Sequence, residues 1–399
     1  LFYYKGAYLL KLGKEAEAKE AFERAEAASP LYCFPNKLED IAVLETAIAE
    51  HPEGAKAYYY LGCLCYDNLQ FEKAAELWEK SIRLDDGYPT VHRNLALAYY
   101  NKQNDPERAK QELEKAFALD ETDARVLLEL DQLYKKLGMP FEKRLELYES
   151  HKDIITERDD VMLEYVTLYN LAGKPEKAYE IIMSHSFRPW EGAEGRISGQ
   201  YKIALLEMAK KDIAAGAYSE AEEKLEKALV YPENLGEGKL EGTKDNNLYY
   251  YLGLVKEALG KEGAEECFHL AELGDNEPAG AMYYYDQPAD MILYKGLAKQ
   301  KLGKTKEAHA CFNKLMDYGE RHLNDVVKND FFAVSLPDFL IFEDDMDKRN
   351  KAHCYYLMGL ANLGMGQKEK AVEEFDKALE YDFNHQNCRI YKELAKGEL

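Results

Sequence analysis

Tyr58-Tyr59-Tyr60-Leu61-Gly62, followed by Ala74, Trp78 and Ser81, sets out a ruler: a glycine, an alanine twelve residues on, an aromatic four further and a small residue three beyond that. The same ruler fits Gly6, Ala18, Phe22 and Ala25, then Gly296, Ala308, Phe312 and Leu315, then Gly359, Ala371, Phe375 and Ala378. With one residue deleted it also fits Gly253, Ala264, Phe268 and Ala271. Recurrence at a fixed spacing marks a repeat array, in which one unit covers its apolar face only by stacking on the next.

Each unit divides into two apolar-periodic segments joined by a short turn, as at Leu12-Gly13-Lys14 and Leu302-Gly303-Lys304. Glycine there accepts the left-handed conformation that ends a first helix. Small residues such as Gly62 and Ala74 let two antiparallel helices approach closely, and Trp78 is expected to fill the space toward the neighbouring pair. Weaker units run from His92 to Ala116, Val126 to Tyr148, Met162 to His185 and Leu205 to Ala228; in the first of these Asp105-Pro106-Glu107 reads as a capped helix start.

This pattern resembles the tetratricopeptide repeat (TPR) family, whose signature has an aromatic and Leu-Gly in the first helix and Ala, an aromatic and Ala in the second. The first-helix part stands as Tyr58 to Gly62, Tyr249 to Gly253 and Tyr355 to Gly359, with Tyr58, Tyr249 and Tyr355 at the packing position. The resemblance implies an all-α fold, a right-handed α-α superhelical solenoid of about nine TPR-like helical pairs on the roughly 34-residue unit of that class. Residues 1–399 then read as a single solenoid. Because Leu1-Phe2-Tyr3-Tyr4 looks like a cut into a repeat, the sequence is expected to be a fragment of a longer chain.

Regularity fails near 29–37, 186–200, 232–247, 274–290 and 319–350. After the first of these, Leu44, Ala47 and Pro52 arrive too soon for a full first helix. Long connections inside a repeat array are often functional. Arg188-Pro189-Trp190-Glu191-Gly192, Ala281-Met282-Tyr283-Tyr284 with Asp286-Gln287-Pro288, and Ala333 to Asp338 resemble the C-terminal repeat region of a bacterial family in which a mutarotase-like β-rich domain precedes the repeats. That likeness implies a carbohydrate-related setting and a missing N-terminal domain; it assigns no reaction to these residues.

A net charge of -22, from 74 acidic and 52 basic side chains, disfavours nucleic acid and anionic membrane as partners. No run approaches the roughly 18 apolar residues of a membrane span. Seven scattered cysteines without a Cys-x-x-Cys pair suit reduced, buried thiols and a cytoplasmic address.

The sequence lacks the His-Glu-x-x-His, Walker, nucleophile-elbow and dinucleotide motifs, so no catalytic residue, metal ligand or cofactor is assigned. Gly192, Gly195 and Gly199 are too loosely spaced for a phosphate cradle, and Glu343-Asp344-Asp345 lacks the glycine and final Glu of a calcium loop. Glu191, Glu194, Asp286, Asp290 and Asp338 are the carboxylates that a glycosidase pair would draw on. Of the 31 tyrosines, Tyr59, Tyr66, Tyr100, Tyr250 and Tyr356, together with Arg93, fall by helical spacing on the face that the resemblance makes the inner groove. Arg188, Trp190 and Glu191 in one loop, and Tyr284, Asp286 and Asp290 in another, are the remaining binding candidates. The expected role is a non-catalytic scaffold holding a protein segment or the missing domain of its own chain, with carbohydrate recognition or substrate positioning as the alternative and an enzyme using the loop carboxylates ranked last. At the far end, Ile390, Tyr391 and Leu394 are expected to cap the stack.

Overall fold

The computed structural model describes residues 1–188, 193–280, 287–327 and 341–397. Among these residues there are twenty-one α-helices, one 3-10 turn and no strand. The chain falls into two compact units: unit 1 is Leu1–Leu137 with Ile341–Glu343, and unit 2 is Gly138–Leu340 with Asp344–Leu399. No helix among the described residues is long and apolar enough to cross a membrane.

Unit 1 holds α1 (Phe2–Lys11), α2 (Glu15–Ala27), α3 (Leu38–Glu50), α4 (Ala55–Asp67), α5 (Phe71–Leu84), α6 (Pro89–Asn101), α7 (Pro106–Leu119) and α8 (Ala124–Lys136). The pairs are α1 with α2, α4 with α5, and α6 with α7. The early arrival of Leu44 and Ala47 is explained by α3, a single unpaired helix that buries both residues while packing against α1 and α4. Unit 2 begins with α9 (Phe141–Ser150) and the one-turn α10 (Lys152–Ile155). It continues through the pairs α11 (Asp159–Leu171) with α12 (Pro175–Ser184), α13 (Arg196–Ala214) with α14 (Tyr218–Ala228), and α15 (Asn246–Leu259) with α16 (Ala264–Ala271). The last pairs are α17 (Asp290–Lys301) with α18 (Thr305–His322) and α19 (Met346–Gly364) with α20 (Lys368–Tyr381); a terminal helix α21 (Gln386–Lys396) follows.

Five of the pairs are closed by glycine opposite an aromatic ring. A Cβ added at Gly6 would lie 2.4 Å from Phe22, at Gly62 2.5 Å from Trp78, at Gly253 2.6 Å from Phe268, at Gly296 2.2 Å from Phe312 and at Gly359 2.4 Å from Phe375. All five rings are buried. Trp78, expected from sequence to fill the space toward the neighbouring pair, is seated against the glycine of its own first helix. It lies in the seam of its own pair, where its indole Nε1 donates to the Tyr59 carbonyl at 3.2 Å. Phe312 does both, since a Cβ at Gly364 of the next pair would also meet it at 2.4 Å.

The packing tyrosines also shift by one position. Tyr58 and Tyr355 are half-buried, under the Lys80 ammonium and stacked on Tyr381 at 5.9 Å respectively, while their neighbours Tyr59 and Tyr356 are buried. One residue along a helix turns the side chain by about 100°, enough to carry it from the pair seam to the first-helix face. Five cysteines, Cys65, Cys267, Cys311, Cys354 and Cys388, are buried, and all seven are free thiols.

The turns confirm the left-handed position at Gly13 (φ 70°) and Gly303 (φ 74°). In the α4–α5 turn the equivalent residue is Leu69, at φ 60° with its side chain in solvent. A left-handed backbone strains any residue with a Cβ, and Leu69 gains no burial in return. Leu69→Gly is therefore expected to stabilise the protein by about 1 kcal/mol, read as a higher melting temperature; an unchanged or lower value contradicts the strain. Gly62→Ala runs the other way. Helix propensity alone would favour alanine by about 1 kcal/mol, but the added carbon collides with the indole, and overpacking of this kind costs about 1–3 kcal/mol. A net loss of stability in a thermal melt is expected, and a net gain would mean that the seam has slack.

Candidate interaction surfaces

Arg93, Asn94, Leu97, Tyr100 and Asn101 share one face of α6, since they recur at three-, four- and seven-residue spacing. Arg93 is not free for a ligand. Its guanidinium grips the buried Glu129 of α8 through Nε at 2.6 Å and Nη2 at 2.7 Å, and Arg125 Nε adds a third contact at 2.9 Å. A bidentate pair of this geometry compensates a buried carboxylate and ties α6 to α8. Tyr59 is likewise interior, with its ring 5.1 Å from Tyr60 and 5.0 Å from Tyr88; burial raises its hydroxyl pKa far above the ordinary value.

Tyr66 and Tyr100 flank a different feature. The tripeptide Ile341-Phe342-Glu343, which belongs to unit 1 and lies outside any helix, is seated at the C-terminal end of α6. The Asn101 side chain binds its backbone twice: Nδ2 donates to the Ile341 carbonyl at 2.9 Å, and Oδ1 accepts from the Glu343 N–H at 2.8 Å. Phe342 is buried with its ring edge-on to Tyr100 at 5.1 Å. Lys102 donates to the Glu343 carboxylate while its ammonium stands 4.8 Å above the Phe71 ring. Tyr66 packs on Phe71 at 4.9 Å. Burial raises its hydroxyl pKa, and the Lys102 and Glu343 charges act on it in opposite senses. Sequence reasoning found the two tyrosines and placed the tripeptide in an irregular stretch of candidate functional importance, but gave it no role and missed Asn101 and Lys102. The available signal was the apolar run Phe339 to Phe342 stranded in an irregular stretch.

In unit 2 the corresponding candidates are covered by the chain itself. α21 does not simply cap the last pair, as expected. Tyr391 turns inward and its hydroxyl donates to Asp290 Oδ2 of α17 at 2.8 Å. Gln386 exchanges hydrogen bonds with Gln200 of α13 at 2.8 and 3.1 Å, and Asn384, just before the helix, accepts from Arg144 of α9 at 3.0 Å. Tyr356 is buried between the rings of His385 and Tyr391, at 4.7 and 6.1 Å. Tyr250 is half-buried against Tyr251, Phe268 and Tyr294. Burial raises its hydroxyl pKa to about 12.

Of the loop candidates, Arg188 is exposed, and its backbone N–H donates to Asp159 at 2.7 Å. Trp190, Glu191, Tyr284 and Asp286 lie outside the described residues, as does Asp338. The glycine-rich stretch before α13 leaves no open cradle at Gly195 and Ser198, whose N–H groups donate to the Glu237 carboxylate at 2.8 and 3.1 Å. In the acidic turn, Glu343 is paired as above and Asp345 caps α19 by accepting from the Lys348 N–H.

Asp290 carries a pH dependence. Burial raises its carboxyl pKa, outweighing the hydrogen bond from Tyr391 and the charges of Lys202 and Lys210. The native state then holds the proton in preference to the unfolded chain, so this group's contribution falls as pH rises from the unfolded value of about 3.9 through the raised folded one. Asp290→Asn is expected to raise the melting temperature more at pH 7 than at pH 4. A larger loss at pH 7 would instead show an ionised carboxylate held by the two lysines.

Models of the tetratricopeptide repeat match residues 55–88, 93–123 and 352–385. The chain therefore carries tetratricopeptide repeats, three of them recognised by sequence: α4 with α5, most of α6 with α7, and most of α19 with α20. Among solved structures, it is similar to YrrB, a TPR protein described as having an unusual peptide-binding site (16% identity, 49% of this chain and 93% of that one, TM-score 0.35). MamA is similar at 19% identity over 50% of this chain and 95% of that one, TM-score 0.32. A tetratricopeptide repeat protein from Parabacteroides merdae ATCC 43184 is similar at 15% identity over 86% and 98%, TM-score 0.40.

Proposed function

We propose that the chain is a non-catalytic protein-interaction scaffold that receives an extended segment of a partner protein on the face shared by the first helices α4, α6 and α8 of unit 1. The observation that carries this reading is the Asn101 side chain, which pairs with a carbonyl and an N–H two residues apart on a non-helical backbone. Every extended peptide offers that pair of groups, so an amide side chain aimed at them recognises main chain before it recognises sequence. Two of the recognised repeats, at 55–88 and 93–123, supply this face.

The unit 2 face is a poorer candidate, because α21 occupies it through Tyr391, Gln386 and the adjoining Asn384. The readings of a missing mutarotase-like domain and of carbohydrate as ligand rest largely on residues 189–192, 281–286 and 333–338, outside the described residues, and no described contact favours them.

Leu97 lies midway along the α6 face between Asn94 and Asn101 and is half-buried, so part of an apolar side chain is left for a ligand to cover. Selection from a random peptide library displayed on phage is expected to yield binders of the intact chain. Leu97→Arg should weaken them about tenfold or more. The melting temperature should change little, because the arginine stem can lie along the same neighbours while its charged head reaches water. A library that yields no binders, or binders indifferent to Leu97→Arg, would contradict the proposal.

A further inference from the structure

Three kinds of recognition converge on Ile341-Phe342-Glu343. Its backbone is paired to one side chain, Asn101. Its central aromatic is buried against Tyr100. Its carboxylate, largely in solvent, meets the ammonium of Lys102. The tripeptide is held by the surface it lies on, since the Ile341 carbonyl and the Glu343 N–H find their partner in Asn101 and not in a helix. Main-chain pairing with a pocketed side chain is a general mode of peptide recognition, and here the contacts hold a piece of the same chain.

We infer that the pocket of Tyr66, Tyr100, Asn101 and Lys102 is a recognition site for an extended segment of another protein in which an aromatic residue is followed by a carboxylate, and that Ile341-Phe342-Glu343 is the built-in occupant which such a segment replaces. The inference deepens the scaffold reading and rests on it. Asn101 demands a backbone whose polar groups are unspent and excludes a helix, whose carbonyl and N–H groups are already paired within it. The burial of Phe342 beside Tyr100 favours a flat apolar side chain there, and the edge-to-face ring contact adds to it. Lys102 selects the acid one position later. The covalent link gives the resident tripeptide a high effective concentration, so a competing segment must bind better than its intrinsic affinity alone would require.

The test adds the peptide Leu-Ile-Phe-Glu-Asp, fluorescein-labelled, to the whole chain and to a chain carrying Phe342→Ser with Glu343→Ser, and reads anisotropy. The emptied chain is expected to bind the peptide about tenfold or more tighter than the wild type. In the emptied chain, Asn101→Ala should abolish binding and Lys102→Glu should weaken it, and a peptide with alanine in place of phenylalanine should not bind. Should the double change unfold unit 1, Glu343→Lys alone alters an exposed side chain and is expected to move the affinity in the same direction. Equal affinity for wild-type and emptied chains, no binding to either altered chain, or binding indifferent to Asn101→Ala overturns the inference. Those outcomes leave the scaffold reading standing if the phage selection still yields binders sensitive to Leu97→Arg; a selection without binders strikes the scaffold reading itself.

Discussion

The constraint that recurs most often in this chain is a ring laid into the gap left by a missing Cβ. At Gly6, Gly62, Gly253, Gly296 and Gly359 the second-helix aromatic lies where a side chain would otherwise stand. In those five pairs the interlock sets how closely the two helices approach, and with it the direction in which their first helices present their remaining faces. Protein interiors are too densely packed to absorb an extra methyl there without a shift of neighbours. The alanines at Ala18, Ala74, Ala308 and Ala371, all fully buried, continue the same seam along the second helix.

Because the seam is periodic, the repeat architecture is legible from sequence, and so are the turn glycines. Faces are legible only to within one residue. Spacing puts Tyr59 on an open groove, yet it is buried against Tyr60 and Tyr88; it puts Arg93 on the right face of α6, where Glu129 consumes it. Helical spacing gives the direction of a side chain without saying what stands opposite. What stands opposite Gln200, Asp290 and Arg144 comes from 186, 101 and 240 residues away. No local pattern encodes contacts of that separation. Asn101 is invisible for a related reason: an asparagine at a helix C-terminus reads as a stop signal, and only the arrival of Ile341 and Glu343 gives it another task.

Both units thus cover part of a first-helix face with their own chain, but by different means. α21 brings Cys388, Tyr391 and Ala395 into the core of unit 2, together with buried polar pairing. The tripeptide on unit 1 depends on far less. Burying Phe342 contributes about 1.5–3 kcal/mol and each Asn101 hydrogen bond about 1 kcal/mol, against about 1–2 kcal/mol per residue for ordering the backbone. Gain and cost nearly cancel. An occupant so balanced is exchangeable, whereas α21 is part of the unit it covers.

Amide hydrogen exchange at Glu343 reads that balance directly, because its N–H is protected by Asn101 Oδ1 and by no helix of its own. A balance this close predicts partial protection at Glu343 in the free chain, weaker than that of the α6 amides. Saturating aromatic-acidic peptide should accelerate exchange there, while the amides of α6 remain protected. Exchange at Glu343 with no protection at all in the free chain, or protection that the peptide leaves unchanged, would contradict a self-occupied binding site.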